Sequence, residues 1–298
     1  MSNYSKIIYQ IFKRYFWGIK FPIGISIDVT HRCNLKCKHC YFLKQNYKSE
    51  LSEEIFLKKI KEIKKDYPSI IHASWVGGEP LLRKSLVKKG MKLFPFNMIV
   101  TNGTMRLPKW KNCAFNISVD GTKKYYEKIR GVNFYDKVKQ NANRKDISVN
   151  ISCVLNKKNY KCIDGMLKEW KKTNVNGIAF DFYTPIKNSR DNLWLEYKQR
   201  DKIIKKLLKL KKKYKSFLMT PKPVLELMLS KNSREIIENC PLFKAVISID
   251  PLGNRKLPCV MGEKSDCLKC GCIIPFFIES LIVRRQIKSF STAKKGFT

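Results

Sequence analysis

Acidic residues are few in this sequence: 24 aspartates and glutamates stand against 61 lysines and arginines, for a formal charge of +37 at pH 7. Such a balance puts an acidic partner among the classes to weigh, whether RNA, a phosphorylated substrate or an anionic membrane surface. Arginine is scarce within that excess, outnumbered about four to one by lysine. Base-reading surfaces rely on arginine forks and stacked aromatics, and no such interleaved stripe occurs. Specific nucleic-acid binding is therefore not expected, and stretches such as KKIKEIKK and KIIKKLLKLKKKYK read as solvated lysine faces. Long apolar runs are missing too. The best, CIIPFFIESLIV, is interrupted by Pro275 and Glu279 and followed by Arg284 and Arg285, which excludes it as a membrane span. No secretory-leader pattern opens the sequence, and 298 residues can bury a core without staples. The eleven cysteines are accordingly expected in a reducing cytoplasm, where clustered thiols more often bind metal than pair.

What is present begins with an amphipathic pattern over residues 1–20. Tyr4, Ile7, Ile8, Ile11, Phe12, Tyr15 and Phe16 recur at helical spacing, with Lys6, Gln10, Lys13 and Arg14 between them. Packing on the body of the protein is one use for this helix; peripheral contact with a membrane surface is the other. From residue 21 strands alternate with helices: FPIGISIDVT, IIHASWVGGE, NMIVTNG, AFNISVDG, ISVNISCVLN and GIAFDFYTPI read as strands. Helices fill the gaps, the first capped by Ser52, Glu53 and Glu54, although RLPKWKN is barely one turn. Six apolar strands in this order imply an α/β fold with a parallel sheet whose faces are covered. Polar residues and glycines gather at the strand ends, which form the ligand-binding rim of such folds. Residues 191–239 read as a long basic helix and an apolar segment after Pro221 and Pro223. Beyond them come five cysteines and a hairpin-like AVISIDPLGNRKLPCV. The domain plan is a helix over 1–20, a barrel over 21–215, a linker and Cys-rich extension over 216–272, and a basic tail over 273–298.

The stretch HRCNLKCKHCYF crowds Cys33, Cys37 and Cys40 onto the loop leaving the first strand, with no fourth thiol nearby. Structural zinc takes four ligands, usually from two paired knuckles, and no second pair lies within about 70 residues. Three thiolates can instead hold three corners of an iron–sulfur cube and leave one iron open. In this the sequence resembles the radical S-adenosylmethionine (SAM) enzymes, whose motif is C-x3-C-x2-C after the first strand of a partial (β/α)6 TIM-like barrel. The resemblance implies a site-differentiated [4Fe-4S] cluster and SAM as cofactors, with a 5'-deoxyadenosyl radical abstracting hydrogen from substrate. It also implies a one-electron donor such as ferredoxin or flavodoxin. The position before the third cysteine, usually aromatic in the family, is His39, with Tyr41 just beyond.

GGEP at the end of the second strand resembles the family as well. Gly77 and Gly78 let backbone carbonyls approach a ligand, and Glu79 offers an anion to an ammonium group. TNGT and SVDGTKKYYEKIRG after strands three and four follow the same family plan, which implies contacts to SAM from Ser118, Arg130 and Asn102. Asp120 and Gly121 read as turn-shaping residues, and Tyr126 and Glu127 replace a common His-Asp pair. The later cysteines, Cys240, Cys259, Cys267, Cys270 and Cys272, are similar to the auxiliary-cluster (twitch or SPASM-like) extension of peptide-modifying members. They differ in having Gly253-x5-Cys259 where that pattern has x4. Cys240, Cys259, Cys267 and Cys270 are the expected ligand set of a second [4Fe-4S] cluster, and a structural zinc is the alternative.

Cys113, Cys153 and Cys162 read as buried small apolar residues. No catalytic base is assigned; Asp181, Tyr183 and Glu127 hold rim positions only. The functional expectation is a radical SAM enzyme that modifies a peptide or protein. The alternatives are a lipid-modifying enzyme at the membrane surface and a non-catalytic basic metal-cluster protein that binds RNA.

Overall fold

The computed structural model describes residues 22–284; the amphipathic segment 1–20 and most of the basic tail lie outside them. All six expected strands form: β1 (Gly24–Asp28), β2 (His72–Val76), β3 (Phe96–Thr101), β4 (Cys113–Ser118), β5 (Ser148–Leu155) and β6 (Gly177–Phe182). A seventh, β7 (Val246–Ile249), comes from the C-terminal region, and the sheet order is β6-β5-β4-β3-β2-β1-β7 with every pair parallel.

Helices cover one face. The first, α1 (Glu53–Asp66), starts where Ser52 accepts the Ile55 N–H, carries Glu53 and Glu54 in its first turn, and buries Phe56 and Ile60. Then follow α2 (Lys84–Gly90), α3 (Lys123–Arg130), α4 (Tyr135–Ala142), α5 (Ile163–Trp170) and α6 (Tyr197–Tyr214). RLPKWKN forms no helix, so the β3–β4 crossover is a loop. The strands do not carry continuous apolar runs. Ile25, Ile27, Trp75, Phe115, Ile151 and Phe180 enter the core, while alternate positions are Ser26, Asp28, Ser74, Asn116, Ser152 and Asp181. Because successive strand side chains point to opposite faces, one face packs on helices and the other is polar, as a curled sheet with an interior requires.

The hairpin expected over AVISIDPLGNRKLPCV is short: Ile249 bridges Arg255, the Asp250 N–H donates to the Asn254 carbonyl at 2.9 Å and the Lys256 N–H to the Ser248 carbonyl at 2.7 Å. Its first strand also pairs with β1, Val246 to Ile249 running beside Gly24 to Ile27 in register. Downstream the chain crosses to the opposite edge of the sheet. Ile186 bridges Ser265, the Asp266 N–H donates to the Pro185 carbonyl at 2.9 Å, and the Phe182 N–H donates to the Gly271 carbonyl at 2.9 Å. The Cys-rich segment thus spans the gap between β7 and β6. Arg200 on α6 fastens its far end: the guanidinium donates to the carbonyls of Lys269 and Cys270 and stacks among Phe182, Trp194 and Tyr197. Among the described residues no helix is long and apolar enough to cross a membrane.

Candidate functional site

The loop after β1 is built onto its neighbour by backbone bonds. Val29 N–H donates to the Val76 carbonyl, Gly78 N–H to Thr30 and Glu79 N–H to Arg32, each at 2.9 Å. The β1–β2 ladder therefore continues into the loop, and the two glycines have concrete reasons. Gly77 has φ +111°, and a Cβ on Gly78 would lie 2.0 Å from the Arg32 carbonyl oxygen. Glu50 braces the other side. Its carboxylate accepts from the Thr30 hydroxyl, from the His31 N–H at 3.0 Å and from Arg32 Nη2 at 2.8 Å. Burial works to raise its pKa, but these donors hold it below the ordinary carboxylate value.

Cys33, Cys37 and Cys40 are free thiols, partly exposed; Cys40 acts on Cys33, and Cys33 and Cys40 both act on Cys37. The Leu35 N–H donates to Cys33 Sγ at 3.4 Å, and Asn102 Nδ2 stands 4.0 Å from the same sulfur. Arg130 Nη1 lies 3.7 Å from Cys37 Sγ. Burial raises the pKa of Cys33 and pushes Cys37 to about 11, with Arg130 pulling the latter back.

Glu79 is wholly buried, and its carboxylate is engaged within the fold. It accepts from the Leu81 N–H at 3.0 Å, the Thr101 hydroxyl at 2.8 Å and the Asn102 N–H at 2.9 Å, tying the ends of β2 and β3 together. Asn102 also donates to Asn34 Oδ1 at 2.8 Å, which links the β3 end to the cysteine loop. Ser118 is the last residue of β4 and pairs with Ser152 of β5. Arg130, at the end of α3, is nearly buried and forms a two-pronged ion pair with Asp120, Nε at 2.8 Å and Nη2 at 2.7 Å. Residues expected at a SAM site thus converge on the cysteine loop from β2, β3 and α3.

Tyr41 lies between the two groups of cysteines: the charges nearest its phenol are those of Asp28, Cys40, Cys259 and Cys272. Under its ring sits a residue that the sequence reading passed over. Lys256 is 6 % exposed and bonds Asp28 Oδ2 at 2.6 Å; its ammonium stands 5.7 Å from the ring centres of Tyr41 and Phe42 and 6.0 Å from that of Tyr47. A lone lysine among 61 basic residues gives no signal of burial in the sequence. Asp28 could have been flagged, as a carboxylate within an apolar strand.

In the C-terminal set, Cys240 feels the charges of Cys267 and Cys270, and Cys259 those of Cys240, Cys267 and Cys270. Cys272 shares that neighbourhood: Cys270, Asp181 and Cys259 lie around it, and burial pushes its thiol well above the ordinary pKa. Among the described residues, no three His, Cys, Asp or Glu side chains draw close enough to grip a single metal ion. Cys153 and Cys162 are buried in the core, as expected, and Cys113 is partly buried against it.

Residues 27–169 match the family model described as the Radical SAM superfamily. Those residues form a radical SAM domain. The family implies a [4Fe-4S] cluster and SAM as cofactors, and three thiols on one loop without a fourth fit that cluster. Among curated proteins, the chain is 29 % identical over 173 residues to Fe-coproporphyrin III synthase of Methanosarcina barkeri, covering 51 % of this chain and 42 % of that protein. It is 32 % identical over 118 residues to pre-heme d1 synthase of Dinoroseobacter shibae, covering 35 % of this chain and 28 % of that one. The chain thus spans less than half the length of the curated relatives it matches. Among solved structures, Streptococcus suis SuiB bound to its precursor peptide SuiA superposes with a TM-score of 0.65 at 16 % identity, covering 97 % of this chain and 71 % of SuiB. Likeness at that identity is likeness of fold.

Proposed function

We propose that the chain is a radical SAM enzyme that modifies a peptide or protein. Cys33, Cys37 and Cys40 hold a site-differentiated [4Fe-4S] cluster, and SAM lies against Tyr41, Gly77, Gly78, Asn102, Ser118 and Arg130. Bound there, cluster and SAM together supply the chemistry of the family, reductive cleavage of SAM to a 5'-deoxyadenosyl radical that abstracts hydrogen from substrate. The chain's own residues do the rest. The Leu35 N–H and the Arg130 guanidinium donate toward sulfur, which stabilises negative charge there. Glu79 keeps the β2 and β3 ends in place from beneath. A one-electron donor such as ferredoxin or flavodoxin supplies the reducing equivalent, and a cytoplasmic setting suits that chemistry.

The observation that carries this reading is the three-thiol loop fixed by the GGE backbone. Cys240, Cys259, Cys267 and Cys270 hold a second cluster, a reading supported by the interaction of Cys259 with the other three; a structural zinc is the alternative. The peptide class is supported by the Cys-rich segment at the open side of the sheet and by the fold shared with a protein solved with a precursor peptide. A second reading, modification of a tetrapyrrole, is favoured by the two curated relatives, each a synthase of a heme-related product. The lipid reading rests on segment 1–20, outside the described residues.

The test is anaerobic reconstitution followed by a SAM-cleavage assay. We expect 5'-deoxyadenosine from the wild type and none above background from the Cys33, Cys37, Cys40 triple-alanine variant; equal amounts from both would remove the enzyme reading and favour the basic RNA-binding one. A tetrapyrrole precursor that raises 5'-deoxyadenosine and is converted to Fe-coproporphyrin III, where peptides have no effect, would move the substrate to the second reading.

A further inference from the structure

Asp120 has more to do than shape a turn. It is fully buried, and its carboxylate collects donors from three elements. Oδ1 accepts the Val154 N–H at 3.1 Å on β5. Oδ2 takes both Nε and Nη2 of Arg130 on α3, and stands 3.3 Å from His39 Nε2 on the cysteine loop. The remaining prong of the guanidinium, Nη1, points at Cys37 Sγ from 3.7 Å. Burial alone would raise the pKa of Asp120, yet Arg130 and His39 bring it below the ordinary carboxylate value, so the group is an anion in place. The loop is tied to the same helix by its backbone, Lys38 N–H to the Ile129 carbonyl at 3.0 Å.

We propose that Asp120 is a positioning residue for the Cys37 sulfur: it grips two nitrogens of Arg130 so that the third faces that sulfur, and holds His39 on the same loop. The inference rests on the reading of Cys37 as a cluster ligand. A planar fork can bind a carboxylate with one edge and offer another donor beyond it, which an ammonium cannot. Hydrogen bonds and positive charge at a cluster sulfur stabilise the more negative, reduced state, so this contact raises the reduction potential of the cluster. Asp120 acts on that potential through Arg130, by fixing where the guanidinium stands.

The experiment is a redox titration of the anaerobically reconstituted full chain, followed by the electron paramagnetic resonance signal of the reduced cluster. Arg130→Lys keeps the charge beside Asp120 but cannot reach the carboxylate and the sulfur together. We expect it to take up iron and sulfide and to lower the reduced-to-oxidised ratio about tenfold at a fixed solution potential, which is about 59 mV for a one-electron couple. Asp120→Asn should also move the midpoint, and that movement should disappear in the Arg130→Lys background, since Asp120 works through Arg130. Melting curves of each variant confirm that the fold is retained. A midpoint and resonance line shape unchanged in both single variants, or strictly additive shifts in the double variant, would overturn the assignment while leaving the enzyme reading in place. Failure of the wild type to take up iron and sulfide would instead remove Cys37 as a ligand, and the inference with it.

Discussion

At the scale of single residues, Lys256 and Asp28 form an ion pair withdrawn from water, and its value lies in being complete. Burial raises the Asp28 pKa to about 6 even with Lys256 beside it. Removing one partner leaves a buried charge uncompensated, at a cost of about 3–5 kcal/mol. Lys256→Met should therefore destabilise the fold by that order in denaturant titration, whereas Lys256→Met combined with Asp28→Leu should recover much of the loss. His72 gives a second residue-level expectation. Burial pushes its pKa down to about 4, below the ordinary value of 6.5. The unfolded chain then binds a proton between those two values and the folded chain does not, so stability contributed by the neutral ring is present above pH 6.5 and lost as pH falls toward 4. His72→Gln should flatten that part of the stability profile; an unchanged slope between pH 6.5 and 4 would count against the burial argument.

At the scale of elements, the ladder that runs from β1 and β2 into their loops explains why Gly78 stands where it does. Gly78→Ala places a methyl 2.0 Å from the Arg32 carbonyl, so one of the two loops must move. We expect about 1–3 kcal/mol of destabilisation, typical of overpacking, together with reduced iron uptake measured against the wild type. The six strands and the cysteine loop were legible because each carries a local signature, β-branched runs in one case and dense thiols in the other. The seventh strand was harder to see. VISI reads as one arm of a hairpin from its turn, and only the open edge of β1, a partner more than 200 residues away, draws it into the main sheet. Long-range choices of this kind decide Asp120 and Lys256 as well, since their partners lie on other elements and no spacing announces them. The polar alternation of the inner face was less legible: the strands read as apolar runs, and the curl of the sheet leaves one face to serine, asparagine and aspartate.

At the scale of the whole molecule, the chain after residue 215 is part of the main sheet. A chain ending there would lose β7 and Lys256 and uncover the β1 edge from Gly24 to Ile27. It should fail to show a cooperative melt by circular dichroism; a sharp transition near that of the full chain would show the barrel to be independent. Metal content separates the two thiol groups. If each holds a four-iron cluster, reconstituted wild type carries about eight irons per chain, and the variant with Cys240, Cys259, Cys267 and Cys270 changed to alanine about half that number. Retention of the full complement would remove the second cluster.

The register of β7 on β1 has one more consequence. β7 places the start of the Cys-rich segment beside the strand that feeds Cys33, so the spacing of the two thiol groups is governed by paired rails and not by the length of polypeptide looping between them. If each group holds a cluster, grafts that exchange the intervening loops for longer or shorter ones should preserve the electronic communication between the two, while a slip of a single residue between the rails should abolish it.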